Sequence, residues 1–199
     1  MDSLPNETIQ DILVSLDVSD VIAFCSTNHT YLEFILDRGF WRYYDKYPNV
    51  DNANQRELKY MIKYNLSRSI DLLLERYPLY IDIPSGKKVG EMLTRLVDHR
   101  NIETAHKLLS VFDSDRACGY FLVALFLNGY EPKVYDTVSA SSLYEAVLRI
   151  GELPNSREIL RGFVSSFSGF EDKVLDAVRR WKSYVPTSEI KRMLKEIRS

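Results

Sequence analysis

Basic excess, cysteine, glycine, proline and long apolar runs are all scarce in this chain, and each scarcity removes a class of protein. Lys and Arg number 26 against 28 Asp and Glu, a net charge of −2 at pH 7. With a sequence pI near 6.0, the chain lacks the positive excess of a dedicated nucleic-acid binder. Two cysteines, Cys25 and Cys118, cannot make a disulfide scaffold and fit a reducing compartment. Eight glycines and seven prolines in 199 residues exclude collagen-like and low-complexity chains. The longest apolar run, Tyr120 to Leu127, is far short of the roughly 20 residues a bilayer crossing needs. The opening Met1-Asp2-Ser3-Leu4-Pro5-Asn6-Glu7 is acidic and has no basic-then-apolar signal pattern. Glycosylation of the Asn-x-Ser/Thr triplets at Asn6, Asn28 and Asn65 is therefore not expected.

What is present is helical periodicity, on a chain that is 45% hydrophobic and 27% charged and long enough to bury a core. Apolar residues at i, i+3, i+4 and i+7 mark one face of a helix. The template fits Ile9, Ile12, Leu13, Leu16, then Val18, Val21, Ile22, Cys25, and later Leu143, Ala146, Val147, Ile150. It also fits Leu66, Ile70, Leu73, Leu74, as well as Val89, Met92, Leu93, Leu96, Val97. Towards the C-terminus it predicts helices over Phe170 to Trp181 and Ile190 to Ile197. No stretch pairs strict alternation with a hairpin dipeptide, so the expected fold class is all-α. Asp17 is a candidate cap for a second helix and Ser26 or Thr27 for a third, because their side-chain oxygens can accept from free amides at a helix start.

Two features suggest an internal boundary. Pro48 to Asn54 is polar and turn-rich. Residues 1–50 hold 8 acids and 3 bases, a balance of −5, whereas the remainder stands at +3. We therefore expect a first domain over 1–47 and a second, helical and repeat-like, over 54–199. Within the second, Asn65 to Leu73 echoes Asn101 to Leu109 at an offset of 36. A period in the thirties is what stacked helix pairs produce. That reading predicts a solenoid-like array with Leu72, Leu73, Leu108 and Leu109 buried.

Residues with reactive chemistry are few. Gly86-Lys87-Lys88-Val89-Gly90 has neither the spacing nor the Ser/Thr of a phosphate loop. His99 and His106, with Asp98 and Glu103 between them, suit helix ends and a half-exposed face better than a metal. Cys118 leads into an apolar run with no base in view. The expectation is therefore no catalytic residue, no cofactor and no metal. Phe40-Trp41-Arg42-Tyr43-Tyr44 reads as core at helical spacing rather than a base-stacking platform. Arg179 to Arg198, with 7 bases and 2 acids, reads as a solvated helix face.

The first 47 residues carry the most specific signal. Leu4-Pro5-Asn6-Glu7, the Ile12-Leu13 pair, Leu16 and an Asp17-led second helix resemble the opening of the F-box motif. The likeness continues through Phe24-Cys25-Ser26-Thr27-Asn28 and ends at the aromatic pair Phe40-Trp41. One departure is Tyr31, where many members place Trp in the third helix. The form is similar to F-box-like domains of large DNA viruses, which are often followed by ankyrin-type or other helical repeats. The resemblance implies a three-helix unit that binds a Skp-type adaptor, ahead of an array that recruits a protein substrate to a cullin-RING ubiquitin ligase. It also implies a viral protein in the host cytoplasm or virion, with Leu4, Pro5, Ile12, Leu13 and Leu16 at the adaptor surface or supporting it. The alternative is a structural protein, such as a virion component, that keeps the unit only as a packing module. Neither reading involves nucleic acid or membrane.

Overall fold

A computed structural model describes residues 5–27, 29–50, 54–76, 85–112, 114–130 and 138–166. Among them are eleven helices and no strand, so the described part of the chain is all-α. They are α1 (Asn6–Val14), α2 (Val18–Ser26), α3 (His29–Leu36), α4 (Arg38–Tyr44), α5 (Gln55–Lys63), α6 (Ser67–Arg76), α7 (Gly86–Asp98), α8 (Ile102–Val111), α9 (Asp115–Leu127), α10 (Ala140–Gly151) and α11 (Ser156–Ser166). No helix among the described residues is long and apolar enough to cross a membrane. The helices expected over Phe170 to Trp181 and Ile190 to Ile197, and the basic run Arg179 to Arg198, lie outside the described residues.

The helices form two compact units, α1–α6 with α8, and α7 with α9–α11. The helices on either side of Pro48 to Asn54 thus belong to the same unit. Helices this short are marginal alone and depend on packing. In the first unit the core is Ile9 and Leu13 of α1, Val18, Val21 and Cys25 of α2, and Phe40, Trp41 and Tyr44 of α4. Leu58, Met61 and Ile62 of α5 and Ile70, Leu73 and Leu74 of α6 complete it, with Ala105 and Leu108 of α8. The rings of Trp41 and Tyr64 stack at 4.1 Å between centroids, tying α4 to the end of α5.

Local chemistry sets the helix ends, with two departures from expectation. Asp37 caps α4, its carboxylate accepting from the amides of Gly39 at 2.8 Å and Phe40 at 3.2 Å. Asn54 caps α5 in the same way. Ser26 and Thr27, expected to begin the third helix, instead finish the second. Their hydroxyls donate back to the carbonyls of Ile22 at 2.6 Å and Phe24 at 2.7 Å, the local bonding that hydroxyl side chains favour. Asp17 stands at the N-cap position of α2, but its side chain makes no capping bond there.

In the second unit α9 is the centre. The apolar run becomes a helix buried nearly all round, from Gly119 to Leu125, as a helix without a polar face must be. Its neighbours α7 and α10 both run parallel to it. A Cβ on Gly86 at the start of α7 would meet Ser114 at the start of α9. At the other ends Asn128 Nδ2 donates to Asp98 Oδ1 at 3.1 Å. Along α10, Ser139 and Ser142 donate to Asp115 Oδ1 at 2.6 and 2.8 Å. Two turns on, the Arg149 guanidinium lies 4.9 Å from the Tyr120 ring centroid. Gly119 permits the approach, because a Cβ there would sit 2.6 Å from the backbone nitrogen of Ala146. α9 and α10 are therefore a parallel pair and not an antiparallel hairpin.

The echo itself is real in structure but displaced by one residue. Buried Glu57, Leu58, Met61 and Ile62 of α5 correspond to buried Met92, Leu93, Leu96 and Val97 of α7 at an offset of 35. Ser69, Ile70 and Leu73 of α6 correspond likewise to Thr104, Ala105 and Leu108 of α8. The two turns match in the same register, with Asn65 at φ 57° and Arg100 at φ 61°. As a result Leu73 and Leu108 are fully buried, whereas Leu72 and Leu109 are only half-buried.

Candidate docking surface

Short helices can bury only one stripe each, so the first four leave apolar groups at the surface. On α1, Ile9 and Leu13 point into the core, and Leu13 is wholly inaccessible. One residue round the helix, Ile12 is 46% exposed, and Pro5, at the N-cap position, is exposed too. Leu16 is half-buried, and its carbonyl accepts from Tyr44 Oη at 2.7 Å. Leu4 lies outside the described residues. Of the five residues singled out by the F-box resemblance, Pro5 and Ile12 are thus available for contact. Leu13 holds α1 in place from beneath, and Leu16 helps to anchor the α1–α2 turn.

The next exposed apolar groups are on α2 and α3, which the sequence reading had not marked as a surface. Phe24 is 41% exposed and stacks on Tyr31 at 5.2 Å between centroids. Leu36 at the end of α3 is 80% exposed. No described side chain of α3 is fully buried, although Tyr31, Leu32, Phe34, Ile35 and Leu36 are all large and apolar. The sequence signal was the apolar density itself: five large apolar residues in eight exceed what one helical stripe can hide.

Two acids of this unit, Asp17 and Glu57, are buried. Glu57 of α5 is nearly inaccessible. Its two oxygens accept from the Ser19 amide at 3.2 and 3.3 Å, so Glu57 caps α2 across 38 residues. The free amides of a helix start need such an acceptor. Burial pushes the Glu57 carboxyl above the usual carboxylate range, the Ser19 bonds pull it down, and the charges of Asp17 and Asp20 push it up again. The Tyr44 hydroxyl is raised by burial first and then by Asp17, Glu57, Asp45 and Asp20. Asp45 acts similarly on α6, accepting from the Ser69 amide at 2.9 Å and its hydroxyl at 2.8 Å. Glu57 and Asp45 are structural acceptors spent on helix starts.

The residues considered for chemistry are dispersed. His99 is exposed at the α7 C-cap, and His106 is half-buried on α8 with its imidazole pKa lowered by burial. Cys118 is half-buried on α9. Cys25 is buried in α2, with its thiol pKa raised by burial, the opposite of an activated thiolate. Among the described residues, no three His, Cys, Asp or Glu side chains gather as a metal centre requires. Compared with known proteins, the chain matches no family model, no curated protein and no solved structure.

Proposed function

We propose that this chain is a non-enzymatic docking subunit of F-box-like type. Its first helices hold a Skp-type adaptor, and its later helices present a protein substrate to a cullin-RING ubiquitin ligase. One observation carries the reading. Of the five large hydrophobic side chains exposed among the described residues, four (Ile12, Phe24, Leu36 and Tyr47) fall within the first 47 residues. Concentrated apolar exposure of that kind marks an interaction site rather than a stable free surface. The repeat of 35, by which α5–α6 correspond to α7–α8, supports a repeat-like helical array as the substrate-holding part. Catalysis would belong to other subunits of the ligase.

The test is titration of the full chain with a purified Skp-type adaptor, using calorimetry. Ile12→Ala removes accessible contact area without touching the core. It is expected to weaken binding by about fivefold to thirtyfold, the equivalent of roughly 1–2 kcal/mol. The melting temperature should stay within about 2 °C, because the substitution is at the surface. Absence of adaptor binding by the unaltered chain defeats the ligase reading. Tight incorporation into a particle would then favour the packing-module alternative.

A further inference from the structure

We propose that α3, with Phe24 stacked on its first turn, docks an amphipathic helix whose apolar stripe is bordered by Lys and Arg. Phe24 and Leu36 are two of the four exposed groups counted for the docking reading; Pro5 and Ile12, the adaptor-facing residues, take no part in this surface. α3 packs against both α2 and α4, and its α4 side is fixed by two specific contacts. Phe34 meets Phe40 edge-on at 5.7 Å, and Trp41 Nε1 donates to the Ile35 carbonyl at 3.0 Å. Leu32 and Leu36, one turn apart, lie along the other side, and Leu36 is almost free of protein contact. The Phe24–Tyr31 stack extends the same apolar surface onto α2. An apolar ridge of this length, presented by a helix already fixed from behind, suits a groove-and-ridge contact with a second helix.

Charge decides which helix. Between Met1 and Asp37 there are seven carboxylates and not one Lys or Arg; the first basic side chain of that kind is Arg38. Asp20, Glu33 and Asp37, on or beside the elements that carry the patch, are all exposed. A second copy of this chain would bring the same acids against them, and an anionic lipid surface would be repelled in the same way. A partner with a basic border is attracted, which speeds encounter and fixes the register of the apolar contact.

The experiment uses the full chain and two synthetic helical peptides of about 18 residues with identical Leu/Ile/Phe stripes. One peptide carries Lys on its polar face and the other Glu. Fluorescence anisotropy should show the Lys peptide binding at least about tenfold more tightly than the Glu peptide at low ionic strength, with the gap narrowing as salt is added. Leu36→Ser should weaken the Lys peptide by about tenfold or more, as loss of a central apolar anchor does. Glu33→Gln with Asp20→Asn should narrow the gap between peptides. Ile12→Ala should leave Lys-peptide affinity unchanged, which separates this surface from the adaptor site. Equal binding of both peptides, or Lys-peptide affinity indifferent to Leu36→Ser, overturns the proposal. So does self-association through Leu36 seen by sedimentation and not competed by the Lys peptide. Circular dichroism on each variant shows that the fold is retained, as expected where Leu36 and Glu33 are already exposed.

Discussion

Glu57 shows what a single residue can hide from a sequence. On paper it is one more acid in an amphipathic helix, and Asp17 is the residue with capping chemistry at the right place. In the structure Asp17 holds the cap position and Glu57 supplies the acceptor. Only the packing of α5 against α2 could reveal that, because the two residues are far apart in sequence and no local rule links them. Burial raises the Glu57 pKa, so the folded state binds this proton more tightly than the unfolded chain does. The sign follows: stability from this group is fully present below its unfolded pKa and is lost as pH rises through the folded value. Glu57→Gln keeps an oxygen for the Ser19 amide and removes the charge. Its stability relative to wild type should therefore improve as pH rises above the usual carboxylate range, as measured by urea denaturation at each pH; a pH-independent difference would contradict the assignment. Glu57→Ala leaves that amide without its acceptor and should be less stable than Glu57→Gln by about 1–3 kcal/mol at any pH, since neither variant carries the titrating group.

At the scale of helices, the existence and type of elements were legible, and the register was not. Apolar period located α1, α2, α7 and α10, and the Leu-Leu pairs pointed to a repeat. The letters, however, aligned Asn65 with Asn101, whereas the backbone aligns Asn65 with Arg100. Both occupy the left-handed conformation that ends a helix, a position Asn favours and Arg does not. Identity of letters outweighed the conformational role, so that of the two Leu-Leu pairs expected in the core only Leu73 and Leu108 are fully buried, and Leu72 and Leu109 are not. Two measurements check the corrected register. Leu73→Ala, at a wholly buried site, should cost on the order of 2–5 kcal/mol, while Leu72→Ala, at a half-buried site, should cost clearly less. Arg100→Gly relieves the left-handed strain and should raise the melting temperature by about 2–4 °C for up to about 1 kcal/mol gained. An unchanged or lower melting temperature would count against Arg100 as the equivalent of Asn65.

At the scale of the whole molecule, composition and connectivity suggest different cuts. Charge changes near residue 50, and a turn-rich stretch lies there, which favours an independent first domain. The contacts run across that point. Glu57 caps α2, Asp45 caps α6, and the Trp41 indole is covered by Tyr64. Each of these removes a cost that residues 1–50 alone would bear: free amides at the start of α2, an aromatic face returned to water, and Asp45 left without the amides it accepts from. A chain of about 50 residues has little core with which to offset such losses. Residues 1–50 expressed alone should therefore show far-UV circular dichroism well below the helical content of α1–α4, with no cooperative thermal transition. Adding back α5 and α6 alone should recover only part of the order, since α8 also belongs to this unit. There Lys107 Nζ pairs with Asp71 Oδ2 at 2.6 Å, the Thr104 hydroxyl donates to Asp71 Oδ1 at 3.2 Å, and buried Leu108 contributes to the core. A fragment of residues 1–50 that melts cooperatively would show instead that the charge boundary is also a folding boundary, and that the capping by Glu57 and Asp45 joins two pieces already formed.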